Sequence, residues 1–397
     1  MAGLAAVGCG SVAGRGLPSV AGPAQNAGQV RLMRDVDPAF GRFVARATPS
    51  DRSFINANFE LIRGYPPFQD QALSWSPPTT AYQDLYAIYN DRRGVPERPD
   101  LATLEAHPDW VLRDAAGSPL YIQFACGGSS CTQFAADPGN PEWRADFIRR
   151  AKLHLAAGYA GIYLDDVNLE IRVSDGSGQQ VIPIDPRTGA AITLADWRRY
   201  IAEFTEQIRS ELLADYPDAL IEQNPLWFLD QADPFVVRQT EAADYVQLER
   251  GFNDPGLRAG EGVYSFSRYL AHIDWLHSLG KAVVYKPDRL DGVSRQFELA
   301  AYLLVNTGHD LICPRDYADP DLLWAGWKTD LGAALGPRWF EDGLWRRDFV
   351  GGTIYLHPPD QAGPISRRLA AEMVDPDGLR HDRITLAPRT AAVLRKP

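Results

Sequence analysis

The chain lacks several features, and each absence narrows what it can do. No run of about 18 or more apolar residues occurs, so no segment reads as a transmembrane helix. No basic block occurs either. The 40 Lys and Arg are mixed along the chain with 51 Asp and Glu, giving a net charge of −11, which argues against nucleic acid and anionic membrane as partners. The seven His are scattered, His-Glu-x-x-His is missing, and His272 and His277 stand at a helical spacing that does not share a face. Gly-x-Ser-x-Gly is missing too, so zinc-peptidase and serine-hydrolase chemistry have no carrier. No motif calls for a cofactor. Cysteine is scarce, with four residues. Cys126 and Cys131 flank a Gly/Ser-rich stretch and suit a disulfide in an exported protein, while Cys313 lies in an apolar run that reads as a buried thiol.

What is present is a large apolar inventory, 45% of 397 residues, with ten Trp, sixteen Tyr and sixteen Phe. That is enough for one large core plus an appendage, since chains beyond about 250–300 residues split into domains. Three regions are expected. Residues 1–38 form an N-terminal tether in which Met1 to Cys9 resembles the end of a bacterial lipoprotein signal, with a lipid anchor at Cys9; an uninformative tail is the alternative. Residues 39–335 form the main domain and residues 336–397 a small β domain.

The main domain repeats one unit: helix, glycine, short apolar strand, polar cluster. Gly41–Arg46 is a candidate first strand, and Asp84–Asn90 a later one ending at Asn90. Asn140-Pro141-Glu142 starts a helix that Gly158 stops. The strand Ile162–Leu164 then leads into Asp165 and Asp166. An inserted hairpin occupies 168–193, and Thr193 with Asp196 opens the next helix. Later strands lead into Gln223-Asn224, into Glu249, into Lys286 and Asp288 behind Tyr285, and into Arg315-Asp316. About eight such strands predict a (β/α)₈ barrel; a doubly wound open sheet has the same local rhythm and is the alternative. After Gly336-Pro337 the short strands separated by Pro, Gly and Asp predict a small antiparallel β domain.

In a parallel barrel the residues just beyond the strand ends converge on one mouth. Asn90, Asp137, Asp166, Gln223, Asn224, Tyr285, Lys286, Asp288, Arg315 and Asp316 are therefore candidates for substrate contact, with polar lining of the mouth as the alternative. Cleaving a glycosidic bond needs two carboxyl groups across it, one to protonate the leaving oxygen and one to attack or to activate water. Asp165, first after an apolar strand, is the candidate nucleophile or base. Glu249, two strands further on, is the candidate general acid. A divalent metal at Asp165, Asp166 and Glu249 is a minor alternative, as is a carbohydrate-binding barrel without catalysis.

The motif Gly161-Ile-Tyr-Leu-Asp-Asp166, preceded by Asp137-Pro-Gly-Asn-Pro-Glu-Trp143 and followed far downstream by Arg347-Asp-Phe-Val-Gly-Gly-Thr353, resembles the barrel glycoside hydrolases related to endo-α-1,4-polygalactosaminidase. The resemblance covers most of residues 50–397. It implies an exported or envelope-associated carbohydrate hydrolase with an Asp after strand four and an acid after strand six, roles that fall on Asp165 and Glu249. The insertions at 91–118 and 168–193 leave the sugar and its linkage open.

Overall fold

The computed structural model describes residues 25–35, 38–67, 69–95, 98–127, 130–288, 291–314, 323–359, 361 and 363–397. Eight parallel strands close a barrel: β1 (Leu32–Asp35), β2 (Phe59–Gly64), β3 (Thr79–Asp84), β4 (Gly161–Asp165), β5 (Leu220–Gln223), β6 (Tyr245–Arg250), β7 (Ala282–Pro287) and β8 (Leu311–Ile312). Each pairs with its sequence neighbours, and β8 closes on β1. The helices are α1 (Pro38–Ala45), α2 (Pro49–Asn58), α3 (Leu101–Ala106), α4 (Pro141–Ala157), α5 (Leu194–Asp215), α6 (Pro234–Glu241), α7 (Phe266–Ser278) and α8 (Gly292–Val305). The fold is a (β/α)₈ barrel with a separate six-stranded antiparallel sheet at its C-terminus, running from Trp339 to Arg395.

Local chemistry accounts for the helix boundaries. The Asn140 side chain accepts from the backbone of Glu142 and Trp143, Pro141 follows it, and Gly158 ends α4 at a φ of 107°. Thr193 caps α5 by accepting from Asp196 N. Two expectations need correction. Gly41–Arg46 is not a strand: it lies mostly within α1, and the first strand is Leu32–Asp35, so the barrel starts ahead of residue 39. Asp84 does not open a strand but closes one, because the barrel uses Thr79–Asp84 while Ala87–Tyr89 joins a small four-stranded sheet. That sheet combines Ala87–Tyr89, Gln133–Ala135 and Tyr121–Ile122 from the β3–α4 excursion with Val173–Ser174 from the 168–193 insertion. Cys126 and Cys131 form a disulfide beside it, and Cys313 is a buried free thiol. Cys9 lies outside the described residues.

Side chains fill the barrel in layers, as alternation along the strands demands. The lowest layer is apolar: Met33, Leu61, Val284 and Leu311. The next is charged. Arg63, 1% exposed, pairs with Asp35 at 2.9 Å and with Glu222, and lies 3.5 Å over the Tyr163 ring; Lys286 pairs with Asp35 at 2.6 Å. Burial pushes the Glu222 carboxyl upward and Arg63 pulls it back. The C-terminal sheet packs on α8, where buried Arg347 donates to the carbonyls of Leu303, Leu304 and Asn306 and so caps the negative end of that helix.

Candidate active site

Above the charged layer the strand ends open into a cleft of about 850 Å³. Tyr82 and Asp84 from β3, Asp165 and Asp166 from β4, Asn224 after β5 and Glu249 from β6 line its floor. Its walls come from the excursions. Phe124 lies on one side with the Arg172 guanidinium 5.0 Å over its ring, and Trp227, Phe228 and Tyr264 lie on the other, with Phe228 and Tyr264 edge to face at 5.2 Å. Exposed aromatic faces beside polar groups suit the apolar faces and hydroxyl edges of sugar rings.

Asp165 is held from three directions. Its Oδ2 accepts from the Tyr82 hydroxyl at 2.8 Å, and its Oδ1 accepts from Asn224 Nδ2 and from Asp166 N, both at 3.0 Å. Burial, then the neighbouring Asp165 and Asp84 charges, push Tyr82 well above its ordinary value, so it stays protonated and donates. Glu249 stands exposed at the end of β6 with no ion pair recorded among the described residues. Its neighbour Arg250 instead approaches Asp254 (3.9 Å) and Asp288 (3.8 Å).

Behind Asp165 lies a carboxyl pair. The chain turns through a left-handed conformation at Asp166 (φ 54°), which sends its side chain towards Asp84; the two hydrogen-bond each other, and Asn168 donates to Asp166 at 3.0 Å. Burial, then repulsion from Asp165, push Asp166 up to about 7, and Asp84 is raised by burial and by Asp166 and Asp165. One proton is shared between them. A carboxyl raised in the folded state binds a proton that the unfolded chain has released, so its contribution is present below the ordinary value of 3.8 and is lost as the pH climbs to about 7. Stability is therefore expected to fall across that window. Asp166→Asn should flatten the fall in denaturant midpoints measured against pH, and an identical slope in the variant would discount the shared proton.

The loop after Glu249 is braced from behind. Glu298 of α8 is fully buried, and its Oε1 accepts from Asn253 N at 2.6 Å; burial pushes it up to about 8. At Gly251 (φ +61°) a Cβ would stand 2.9 Å from that carboxyl and 3.0 Å from Pro287 Cα, so only glycine fits. Arg389 of the C-terminal sheet donates to the carbonyls of Asp254 (2.7 Å) and Leu257 (2.9 Å) in the same loop.

The other sequence candidates divide. Asp165, Asp166, Asn224 and Glu249 share the cleft. Lys286 sits one layer lower in its ion pair with Asp35, and Asp288 is exposed near Arg250. Tyr285 and Gln223 fall on the other phase of their strands. Tyr285 is fully buried, stacked on Phe252 at 4.7 Å and edge-on to Tyr302 at 5.9 Å; Gln223 is buried away from the cleft. Asn90 donates to Cys131 O at 3.0 Å, bracing the small sheet. Asp137 is 1% exposed and pairs with Arg187 at 3.0 Å, fastening the start of α4 to the 168–193 insertion. Arg315 and Asp316 lie outside the described residues. Sequence reading missed Tyr82, Asp84, Arg172 and the aromatic walls; Asp84 could have been found had Thr79–Asp84 been read as a strand with polar residues facing the mouth.

No protein-family model matches the chain, and no curated protein does. Among solved structures, an alpha-amylase from Lactobacillus plantarum is 12% identical, with 94% of this chain and 100% of that one covered at a TM-score of 0.51. The trehalose-6-phosphate hydrolase of Bacillus licheniformis is 10% identical, covering 93% and 99% at 0.52. The glycoside hydrolase domain of PelA from Pseudomonas aeruginosa is 15% identical, covering 73% and 96% at 0.41. The first two share this chain's barrel architecture, and the likeness is one of fold.

Proposed function

We propose that the chain is a glycoside hydrolase acting on a polysaccharide or oligosaccharide, with Asp165 as nucleophile or base and Glu249 as general acid. The observation that carries this reading is that two carboxylates from strands two apart line one cleft walled by aromatic rings, exposed at Phe124 and Tyr264 and half-buried at Trp227 and Phe228. Their surroundings differ in the sense the roles require. Asp165 is fixed by three donors, as a group that must attack or activate along one direction needs to be. Glu249 stands at the open side, able to reach a leaving oxygen. The shared proton of Asp84 and Asp166 keeps further negative charge away from Asp165. Within this class we place the chain beside the barrels related to endo-α-1,4-polygalactosaminidase, on the motif ending at Asp165-Asp166. We also read it as exported or envelope-associated, in keeping with the Cys126–Cys131 disulfide.

The test follows from the acid's task. Glu249→Gln should slow cleavage of an ordinary sugar–sugar bond by about 10²–10⁴-fold and cost far less on aryl glycosides whose leaving group departs without a proton. Equal losses on both would take the acid role from Glu249. A polysaccharide panel with products resolved by mass supplies the substrate for that comparison.

A further inference from the structure

The backbone leaves β6 through an uncommon conformation directly after Glu249. Arg250 (φ 70°) and Gly251 (φ 61°) are left-handed in succession. Such backbone is unfavourable at any residue but glycine, and at Arg250 it persists only because the surroundings hold it. The group on the inner side is the carboxyl of Glu298. It accepts from the backbone N of Phe252 and of Asn253, and both its oxygens lie 2.9 Å from where a Cβ on Gly251 would stand. Three consecutive residues after Arg250 are thus shaped on one side chain of α8. Phe252 is further fixed by its stack on Tyr285. Glu298 is fully buried and does not line the cleft. A leucine would fill a helix position of that kind without the cost of burying a carboxyl, so the acid is there for the hydrogen bonds it accepts.

We propose that Glu298 is a positioning residue for the general acid: by shaping the turn at 250–253 it aims the Glu249 carboxyl at the leaving oxygen. The inference rests on the reading of Glu249 as that acid. Glu249 lies exposed at the strand end, so its aim comes from the backbone that carries it and from the turn that follows. Proton transfer to a leaving oxygen demands hydrogen-bond reach, and a misplacement of about 1 Å costs on the order of 10²-fold in rate. Bond cleavage that needs no proton is indifferent to the same slack, which gives the role a signature that loss of core packing lacks. Burial pushes Glu298 up to about 8 against the pull of the two backbone donors and Arg389, so at neutral pH it is an uncharged carboxyl. An amide presents the same accepting oxygen, whereas the sulfur of a methionine of similar size is a weak acceptor.

The experiment compares Glu298→Met and Glu298→Gln with the parent, in the full chain, on an oligosaccharide cleaved in the panel and on the 2,4-dinitrophenyl glycoside of its sugar. Glu298→Met should lower kcat on the sugar–sugar bond about 10–100-fold with KM little changed, and stay within about threefold of the parent on the dinitrophenyl glycoside. Glu298→Gln should hold both rates near those of the parent. Amide hydrogen exchange over residues 250–257 should quicken in Glu298→Met and not in Glu298→Gln. Equal losses on the two substrates, whatever the thermal melt, would make Glu298 a core residue only and overturn the proposal. So would unaltered exchange in Glu298→Met, or a loss in Glu298→Gln as large as in Glu298→Met. Should Glu298→Met fail to fold, Gly251→Ala, which drives a methyl against the same carboxyl, should give the same split between substrates. The two readings fail distinguishably. Even losses in Glu249→Gln withdraw the acid and its positioning together, whereas a split at Glu249 with none at Glu298→Met withdraws the positioning alone.

Discussion

Asp165→Asn is expected to lower turnover at least about 10³-fold while leaving the melting temperature close to that of the parent. The change is gentle on the fold because the surrounding donors can adapt. An asparagine with its oxygen at the Oδ1 position still accepts from Asn224 and from Asp166 N. Its amide nitrogen then meets the Tyr82 hydroxyl, which can turn and accept instead. What is lost is the negative charge that the proposed role as nucleophile or base requires. The measurement is single-turnover hydrolysis beside a thermal melt. Parent-like turnover with an unshifted melt would end the carboxylate assignment.

The second large effect is on stability. Arg63→Met should cost about 3–5 kcal/mol in chemical denaturation, because it leaves Glu222, 0% exposed, as a charge without its guanidinium. Asp35 is protected by Lys286, so Glu222 bears the loss. The double variant Arg63→Met with Glu222→Gln should recover most of it, since the penalty belongs to the orphaned charge and the pair itself is close to neutral against well-packed replacements. A single variant within about 1 kcal/mol of the parent would show that the buried layer relaxes or admits water.

These two residues also explain how far the sequence was legible. The strand ending at Asp165 was readable because Ile162–Leu164 is apolar and fully buried, and Asn140, Gly158 and Thr193 announced helix ends through cap chemistry that needs no tertiary context. Thr79–Asp84 was not readable as a strand because its inward residues, Thr80, Tyr82 and Asp84, serve the barrel interior and the mouth and are therefore polar. Leu32–Asp35 has only four residues, and Asp35 enters the charged layer, so no apolar run marks it. Strand-end reasoning found Asp165, Asn224 and Glu249, which share the inward phase. It also gathered Tyr285, which a one-residue step turns to the outside, and Lys286, which points inward but one layer too low. The walls of the cleft come from excursions whose approach is set by pairing between distant segments, Val173–Ser174 with Tyr121–Ile122, and no local pattern encodes that meeting.

The grip of Arg389 on the carbonyls of Asp254 and Leu257 gives the C-terminal sheet a duty beyond covering α8. It works as a splint. With Glu298 pressing from the inner side, the segment that follows Glu249 is immobilised between two parts of the molecule that sequence alone would divide. A disturbance that loosens the sheet is therefore expected to reach the segment beside Glu249, which makes barrel and sheet one working part.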